Sequence, residues 1–276
     1  METSSVRDFM SDEEWAFFER FILKARAPNA RKPANHRRVL DGIFWIARTG
    51  APWRDLPEEF GKWSSVYRRF RCWTLAGLWE EIMDALNQSR VAPDALQMID
   101  STVIRARHPL PGRALRMQCP EREAASAKRG TPRQGFWSSR GGFTTKIHLL
   151  FNAHGPPMRT EITPGQTSDY LGFDLVMAAN LPSPSVLLAD RGYDADSIRA
   201  KMEKRDVLSV IPMRKSLKKR IGVDRSLYRL RNLVERCFNK LKNARRVATR
   251  YDKTAESFLG FVDITSVRLW FRHLST

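Results

Sequence analysis

The sequence predicts a mixed α/β domain preceded by a small all-helical region, and three observations carry that expectation. Up to about residue 90 the apolar residues recur at helical spacing. From Ala95 onward, short β-branched runs alternate with helical stretches. Two acids of the second part, Asp100 and Asp190, follow apolar β runs, where an unpaired carboxylate is costly, and a third, Glu235, lies on a positively framed helix. The expected division is 1–90 helical and 91–276 α/β, with 108–140 an irregular basic loop.

In order, Glu13–Leu23 places Trp15, Phe18 and Ile22 on one helical face behind a Ser11 cap. Asn35 can cap a helix through Arg48 that buries Val39, Leu40, Ile43, Phe44 and Ile46 and ends at Gly50. Ala51–Pro57 is turn-rich. Ser64–Trp73 pairs Val66, Tyr67, Phe70 and Trp73 with Arg68, Arg69 and Arg71, and Gly77–Leu86 follows. These helices fit a helix-turn-helix-like DNA module in which Arg68, Arg69 and Arg71 touch DNA; the same pattern also fits a purely structural cap.

Leu96–Ile104 is a strand by its β-branched content, with Asp100 inside it. Strands near Phe143–Asn152 and Met158–Thr163 flank a hairpin turn over Ala153–Pro157. Thr167 or Ser168 can cap a helix through Ala179. Ser185–Asp190 is a short buried strand ending on an acid, followed by a helix over Asp196–Lys204, a strand over Val207–Pro212 and a basic loop over Arg214–Arg220. The spacing then predicts one helix over Leu227–Arg246 and a last one over Thr254–His273.

The net charge of +18 points to a polyanionic partner, nucleic acid first, because residues 201–253 alone carry eighteen Lys/Arg against five Asp/Glu. No apolar run reaches the length of a membrane span, and the polar, acidic Met1–Glu14 is no signal peptide, so no membrane is expected. Cys72, Cys119 and Cys237 are too few and scattered for a disulfide framework and read as ordinary small residues of a cytoplasmic protein.

On the helix expected over Leu227–Arg246, Tyr228, Arg231, Glu235 and Lys242 fall on one stripe, and Leu230, Leu233, Val234, Cys237 and Leu241 on another that can face a core. One carboxylate held among a phenol, a guanidinium and an ammonium suits a metal-bound phosphodiester. With Asp100 and Asp190 it forms an all-oxygen donor set, which favours Mg2+ or Mn2+ over Zn2+. Two such ions would clamp the attacking and leaving oxygens of an in-line displacement at phosphorus. Taken singly, Asp100 also reads as a structural hydrogen-bonding residue and Glu235 as a surface ion-pair partner.

Several segments together resemble the DDE transposases of bacterial insertion sequences, in the IS-five group. Asp100–Ala106 resembles the first-acid motif, Gly141–His148 the hairpin motif, and Leu187–Asp194 the second-acid motif. Tyr228-x-x-Arg231-x-x-x-Glu235-x-x-x-x-x-x-Lys242 resembles the third-acid signature, followed by Arg250–Lys253; upstream, Thr49–Pro57 and Trp63–Trp73 are similar to the group's N-terminal region. Residues 109–136 depart from the family pattern. The resemblance implies an RNase H-like core, cleavage of DNA at element ends and strand transfer, with Asp100, Asp190 and Glu235 as catalytic metal ligands. It further implies DNA contacts by Tyr228, Arg231 and Lys242, with Arg191 a weaker candidate, and a homodimer assembled on double-stranded DNA. Lys146 and His148 share a strand face and have either a role near the site or a filling role; Gly192 is expected to permit the turn that frees Asp190. A nuclease without strand transfer and a DNA-binding repressor with a dead site are the competing readings.

Overall fold

The computed structural model describes residues 10–25, 35–88, 96–107, 137–139, 142–177, 183–213, 222 and 224–274. The basic segments expected over 108–136 and 214–220 lie outside the described residues.

Four helices open the chain: α1 (Asp12–Lys24), α2 (His36–Thr49), α3 (Trp63–Leu75) and α4 (Leu78–Gln88). Ser11 caps α1 through a full capping box with Glu14. Gly50 ends α2 in the left-handed region at φ 67°, a conformation that costs glycine nothing. Asn35 holds the N-cap position of α2 without a side-chain cap bond.

Six strands follow among the described residues, β1 (Leu96–Arg105), β2 (Trp137–Ser139), β3 (Gly142–Asn152), β4 (Pro157–Pro164), β5 (Val186–Ala189) and β6 (Leu208–Val210). The sheet runs β6-β5-β1-β3, with β4 and β2 both along the far side of β3. β1 is antiparallel to β3 and parallel to β5, as β5 is to β6. This is the RNase H-like mixed sheet flanked by helices. β2 corrects one expectation: Trp137–Ser139 pairs with Gly142–Thr144 rather than being irregular. Three residues are too few to display an alternating pattern.

The remaining helices are α5 (Asp169–Val176), α6 (Asp196–Glu203), α7 (Arg225–Arg229), α8 (Asn232–Lys242), α9 (Arg245–Ala248) and α10 (Ala255–Leu274). The single helix expected over Leu227–Arg246 is therefore three. Between Tyr228 and Val234 the bonds tighten to i→i+3: Arg231 N–H donates to Tyr228 and Val234 N–H to Arg231. The overwound turn shifts the phase of everything beyond it. Leu230, expected in the core stripe, is consequently exposed, while Val234, Cys237, Phe238 and Leu241 are buried. α5 likewise stops at Val176, short of Ala179. Cys237 is free and buried.

Strand alternation divides the sheet into two faces. Met98, Leu149, Phe151 and Leu188 pack under α8 and α10 with Val234, Phe238, Phe258 and Val262. Ile99, Leu150, Leu187 and Ala189 pack on the other face with Phe173, Tyr193, Ile198 and Met202. α10 also serves a third core: Phe261, Ile264, Val267 and Trp270 join α1–α4, where Phe70 stacks on Phe261 at 4.4 Å between centroids. At Gly260 an added Cβ would lie 2.8 Å from the Thr74 side chain, so α3 and α10 approach closely. The helical region and the sheet thus share one central helix.

Buried arginines lock this junction. Arg246 pairs with Asp252 in a two-pronged contact of 3.1 and 3.0 Å and donates to the Ala51 carbonyl at 3.2 Å. Arg250 donates to the Asp252 carbonyl and to Thr145 Oγ1, tying the segment after α9 to β3. Removing one partner of a buried pair strands the other charge, which costs about 3–5 kcal/mol. Arg246→Ala should therefore lower unfolding stability by about that amount in urea titration; a loss under about 1 kcal/mol would show the pair to be incidental.

Candidate metal and phosphodiester site

The site begins with strand register. β1 and β5 run parallel with Ile99 beside Ala189, so Asp100 and Asp190 are the next residues along two neighbouring strands. Alternation then points both toward the face covered by α8, because Ile99 and Ala189 pack on the opposite one. Asp100 is 7% exposed. Burial lifts its carboxyl above the ordinary range, the Arg231 guanidinium opposes that lift, and the charge of Asp190 adds to it. Arg231 donates to Asp100 Oδ2 at 2.6 Å and to Tyr228 Oη at 3.2 Å. The i→i+3 turn stacks Tyr228 and Arg231 directly above one another and makes the latter contact possible.

Asp190 ends β5 and caps the following 3-10 turn, Arg191–Tyr193, by accepting the Gly192 N–H at 2.7 Å. Gly192 is needed here for space rather than for a left-handed turn. A Cβ on it would lie 2.3 Å from Asp169 Oδ2 and 2.9 Å from Asp190 Oδ1, which puts the two carboxylate oxygens within about 5 Å of each other. Asp169, at the start of α5, is the residue that sequence reasoning missed; Ser168 holds the N-cap position but forms no side-chain cap bond.

Asp169 is held from the opposite sheet face. Its Oδ1 accepts from Ser101 Oγ at 2.6 Å and from Lys146 Nζ at 2.9 Å, and Lys146 also donates to the Thr167 carbonyl. These bonds, with the nearby positive charge, outweigh burial and hold the Asp169 carboxyl below its usual range. His148 is fully buried, shares a 2.8 Å hydrogen bond with Thr163 Oγ1, and packs against Gly172, where a Cβ would come 2.3 Å from the ring. Burial pushes its pKa down to about 4, so it is neutral at neutral pH. Lys146 and His148 therefore share a face, as expected, and it is the supporting one. Tyr193, buried beneath these acids, has its phenol pushed well up by burial and by Asp169, Asp100 and Asp190.

Glu235 lies on α8 between Arg231 and Lys242, which reach β1 at Asp100 and Thr102. It is exposed, and among the described residues no three His, Cys, Asp or Glu side chains close to metal-holding range. Asp100 and Asp190 are brought together by the strand register, Glu235 is carried on the helix whose neighbours Arg231 and Lys242 reach β1, and Arg231 sets a positive charge against Asp100. The neighbouring Asp100 and Asp190 carboxylates are hard oxygen donors of the kind a divalent cation takes. Of the other sequence-derived contacts, Arg191 directly follows Asp190, while the three arginines of α3 lie in the helical region. Arg191 and Arg68 are exposed, Arg69 lies over Trp73, and Arg71 bonds Thr254 and Ser257 where α3 meets α10.

Comparison with known proteins bears on both parts of the chain. A family model described as "Transposase DDE domain" matches residues 92–262, and one described as "Putative transposase of IS4/5 family" matches residues 10–83. The chain is 35% identical over 133 residues to a Brucella ovis protein named "Putative transposase for insertion sequence element IS6501", covering 47% of this chain and 99% of that one. It is 34% identical over 112 residues to the insertion element IS402 16.2 kDa protein of Burkholderia cepacia, covering 37% of this chain and 76% of that one. Among solved structures it is similar to a piggyBac transposase synaptic complex with hairpin DNA, at 11% identity and a TM-score of 0.44 over 100% of this chain and 69% of that one. The Mos1 strand transfer complex follows at 14% identity and 0.27, covering 95% of this chain and 85% of that one. At such scores the fold rests on the sheet order itself.

The spacing at Gly192 gives a direct test. Gly192→Ala should part Asp169 from Asp190 and weaken Mn2+ binding about tenfold or more, read by calorimetric titration with the fold checked by circular dichroism. Unchanged affinity would show that the close approach has no part in ion binding.

Proposed function

This chain belongs to the DDE transposase family, and we propose from that premise that it cuts DNA at the ends of its insertion sequence and joins the freed 3′-hydroxyls to target DNA. The observation that carries the reading is the pairing of Asp100 with Asp190 on the sheet face beneath α8, the helix that bears Glu235. Family membership implies dependence on a divalent metal; we assign Mg2+ or Mn2+, two ions, to Asp100, Asp190 and Glu235. When bound, such ions supply charge neutralisation at the phosphate and lower the pKa of water near neutrality.

The chain's own residues do the rest. Asp100, buried and next to Asp190 in the parallel register, would hold the metal together with Asp190. Arg231 bonds Asp100, and its guanidinium could turn to a non-bridging phosphate oxygen once that carboxylate is otherwise neutralised. Lys242, exposed above Thr102, is placed to hold a second phosphate, and Tyr228 to bond or stack on the strand end. In cleavage, water oxygen attacks phosphorus and the 3′-oxygen leaves as a hydroxyl. In transfer, that hydroxyl attacks a target phosphodiester and displaces its 3′-oxygen, so each step exchanges one P–O bond for another.

The division of labour we propose keeps 91–276 as the catalytic part and 1–90 as a DNA-binding region, with Arg68 and Arg69 on its α3 exposed enough to contribute. Arg71, already committed to Thr254 and Ser257, contributes mainly by fixing α3 on α10. Two ends must be joined in one event, so the working form is a homodimer on double-stranded DNA. No helix among the described residues is long and apolar enough to cross a membrane.

Asp100→Ala, Asp190→Ala and Glu235→Ala should each reduce Mg2+-dependent cleavage of an end-bearing duplex by about a thousandfold or more while leaving its binding within a few-fold. Wild-type cleavage by any one of the three would remove that residue from the assignment.

A further inference from the structure

A cleft of about 470 Å3 opens between α2, α8, α9 and α10, on the side of α8 away from Asp100. Lys242 reaches β1 from one side of α8, and Lys240, two residues earlier, lines the cleft from nearly the opposite side. Arg48 comes from α2, Arg245 from α9 and Arg268 from α10, so four cations from four helices converge on one opening. No Asp or Glu is among the described residues that line it. Its floor is apolar: Phe44 is buried, and the Arg268 guanidinium lies over its ring at 4.6 Å.

Arg268 also acts on Asp41, but Lys240 and Arg245 stand exposed at the opening and raise the potential that a polyanion meets there. Arg48, Lys240 and Arg245 are exposed on the rim rather than converging on a buried point. That spacing suits a run of phosphates along a strand more than a single small anion, which needs donors directed at one centre. The cleft also lies where the helical region meets the helix that carries Glu235, and so spans both parts of the chain.

We propose that this cleft is a second DNA-backbone site, holding consecutive phosphates of duplex DNA away from the cleavage centre, with Lys240 and Arg245 each neutralising one phosphate. It rests on the transposase reading, and it adds an anchor on the far side of α8 that none of the sequence motifs marks. A duplex held on both sides of α8 is oriented before the scissile phosphate reaches Asp100 and Asp190.

The test is the salt dependence of binding to a fluorescein-labelled mixed-sequence duplex of about 30 base pairs, by anisotropy without metal, from about 50 to about 200 mM salt. Each lost phosphate contact lowers the slope of log K against log salt by about 0.9, so Lys240→Gln/Arg245→Gln should flatten it by about 1.8 and weaken binding throughout. A charge-matched control, Lys201→Gln/Lys204→Gln, removes two exposed cations on α6 and at its end and should leave the slope close to wild type. Circular dichroism checks that both variants fold. An unchanged slope in the cleft variant, or an equal change in the control, would overturn the site while wild-type binding stood. Failure of the unaltered chain to bind DNA at all would overturn the proposed function as well.

Discussion

The register between β1 and β5 is the constraint on which the site depends. Ile99 beside Ala189 in a parallel pair makes Asp100 and Asp190 neighbours, and the packing of Ile99 and Ala189 on one face obliges both acids to the other. A slip of one residue would send Asp100 into the core beneath α5 and α6 and bring Ser101 up in its place. The hydrophobic alternation of β1, with Met98 and Ile104 under α8 and α10 and Ile99 under α5 and α6, resists that slip because each position is fully or nearly fully buried. The chemistry of one face is thus enforced by apolar packing on both.

The opposite face supports the acids without joining them. Ser101 and Lys146 hold Asp169, and Asp169 in turn closes on Gly192 beneath Asp190. His148, neutral and pressed against Gly172, seats α5 on β3 so that Asp169 arrives where Ser101 and Lys146 can reach it. On the face beneath α8, Arg231 opposes the rise that burial imposes on the Asp100 carboxyl. α10 then joins the sheet to α1–α4, and Arg246 and Arg250 secure the joint. The cationic cleft lies along this joint, which links the proposed second DNA contact to the same helices that carry Glu235 and Lys242.

Much of this was legible in the chain. Long periodic segments such as α2, α10, β1 and β3 declare themselves because each buries a whole stripe or face, and Asp100 and Asp190 stand out as acids in apolar strands. What escaped has local physical causes. The break at Leu230–Arg231 keeps helical backbone angles and differs only in bond spacing, which no side-chain pattern reports. Asp169 looked like one more polar residue at a helix start, and its role appears only when β1 and β3 bring Ser101 and Lys146 to it. Arg71 shows the converse: an arginine on a basic helix face is spent on Thr254 and Ser257, partners more than 180 residues away in sequence. The cleft of Arg48, Lys240, Arg245 and Arg268 is assembled from four helices and forms no motif in any of them.

The central claim is that Asp100, Asp190 and Glu235 share a divalent ion on the face beneath α8. Replacing Mg2+ by Fe2+ and adding ascorbate and peroxide generates short-lived radicals at the ion, which cut the polypeptide where it lies closest. With end DNA bound, the account predicts cuts clustered at three points, near residues 100, 190 and 235, that Mg2+ suppresses by competition. Cuts near 100 and 190 with none near 235, or cuts that excess Mg2+ leaves unchanged, would contradict it.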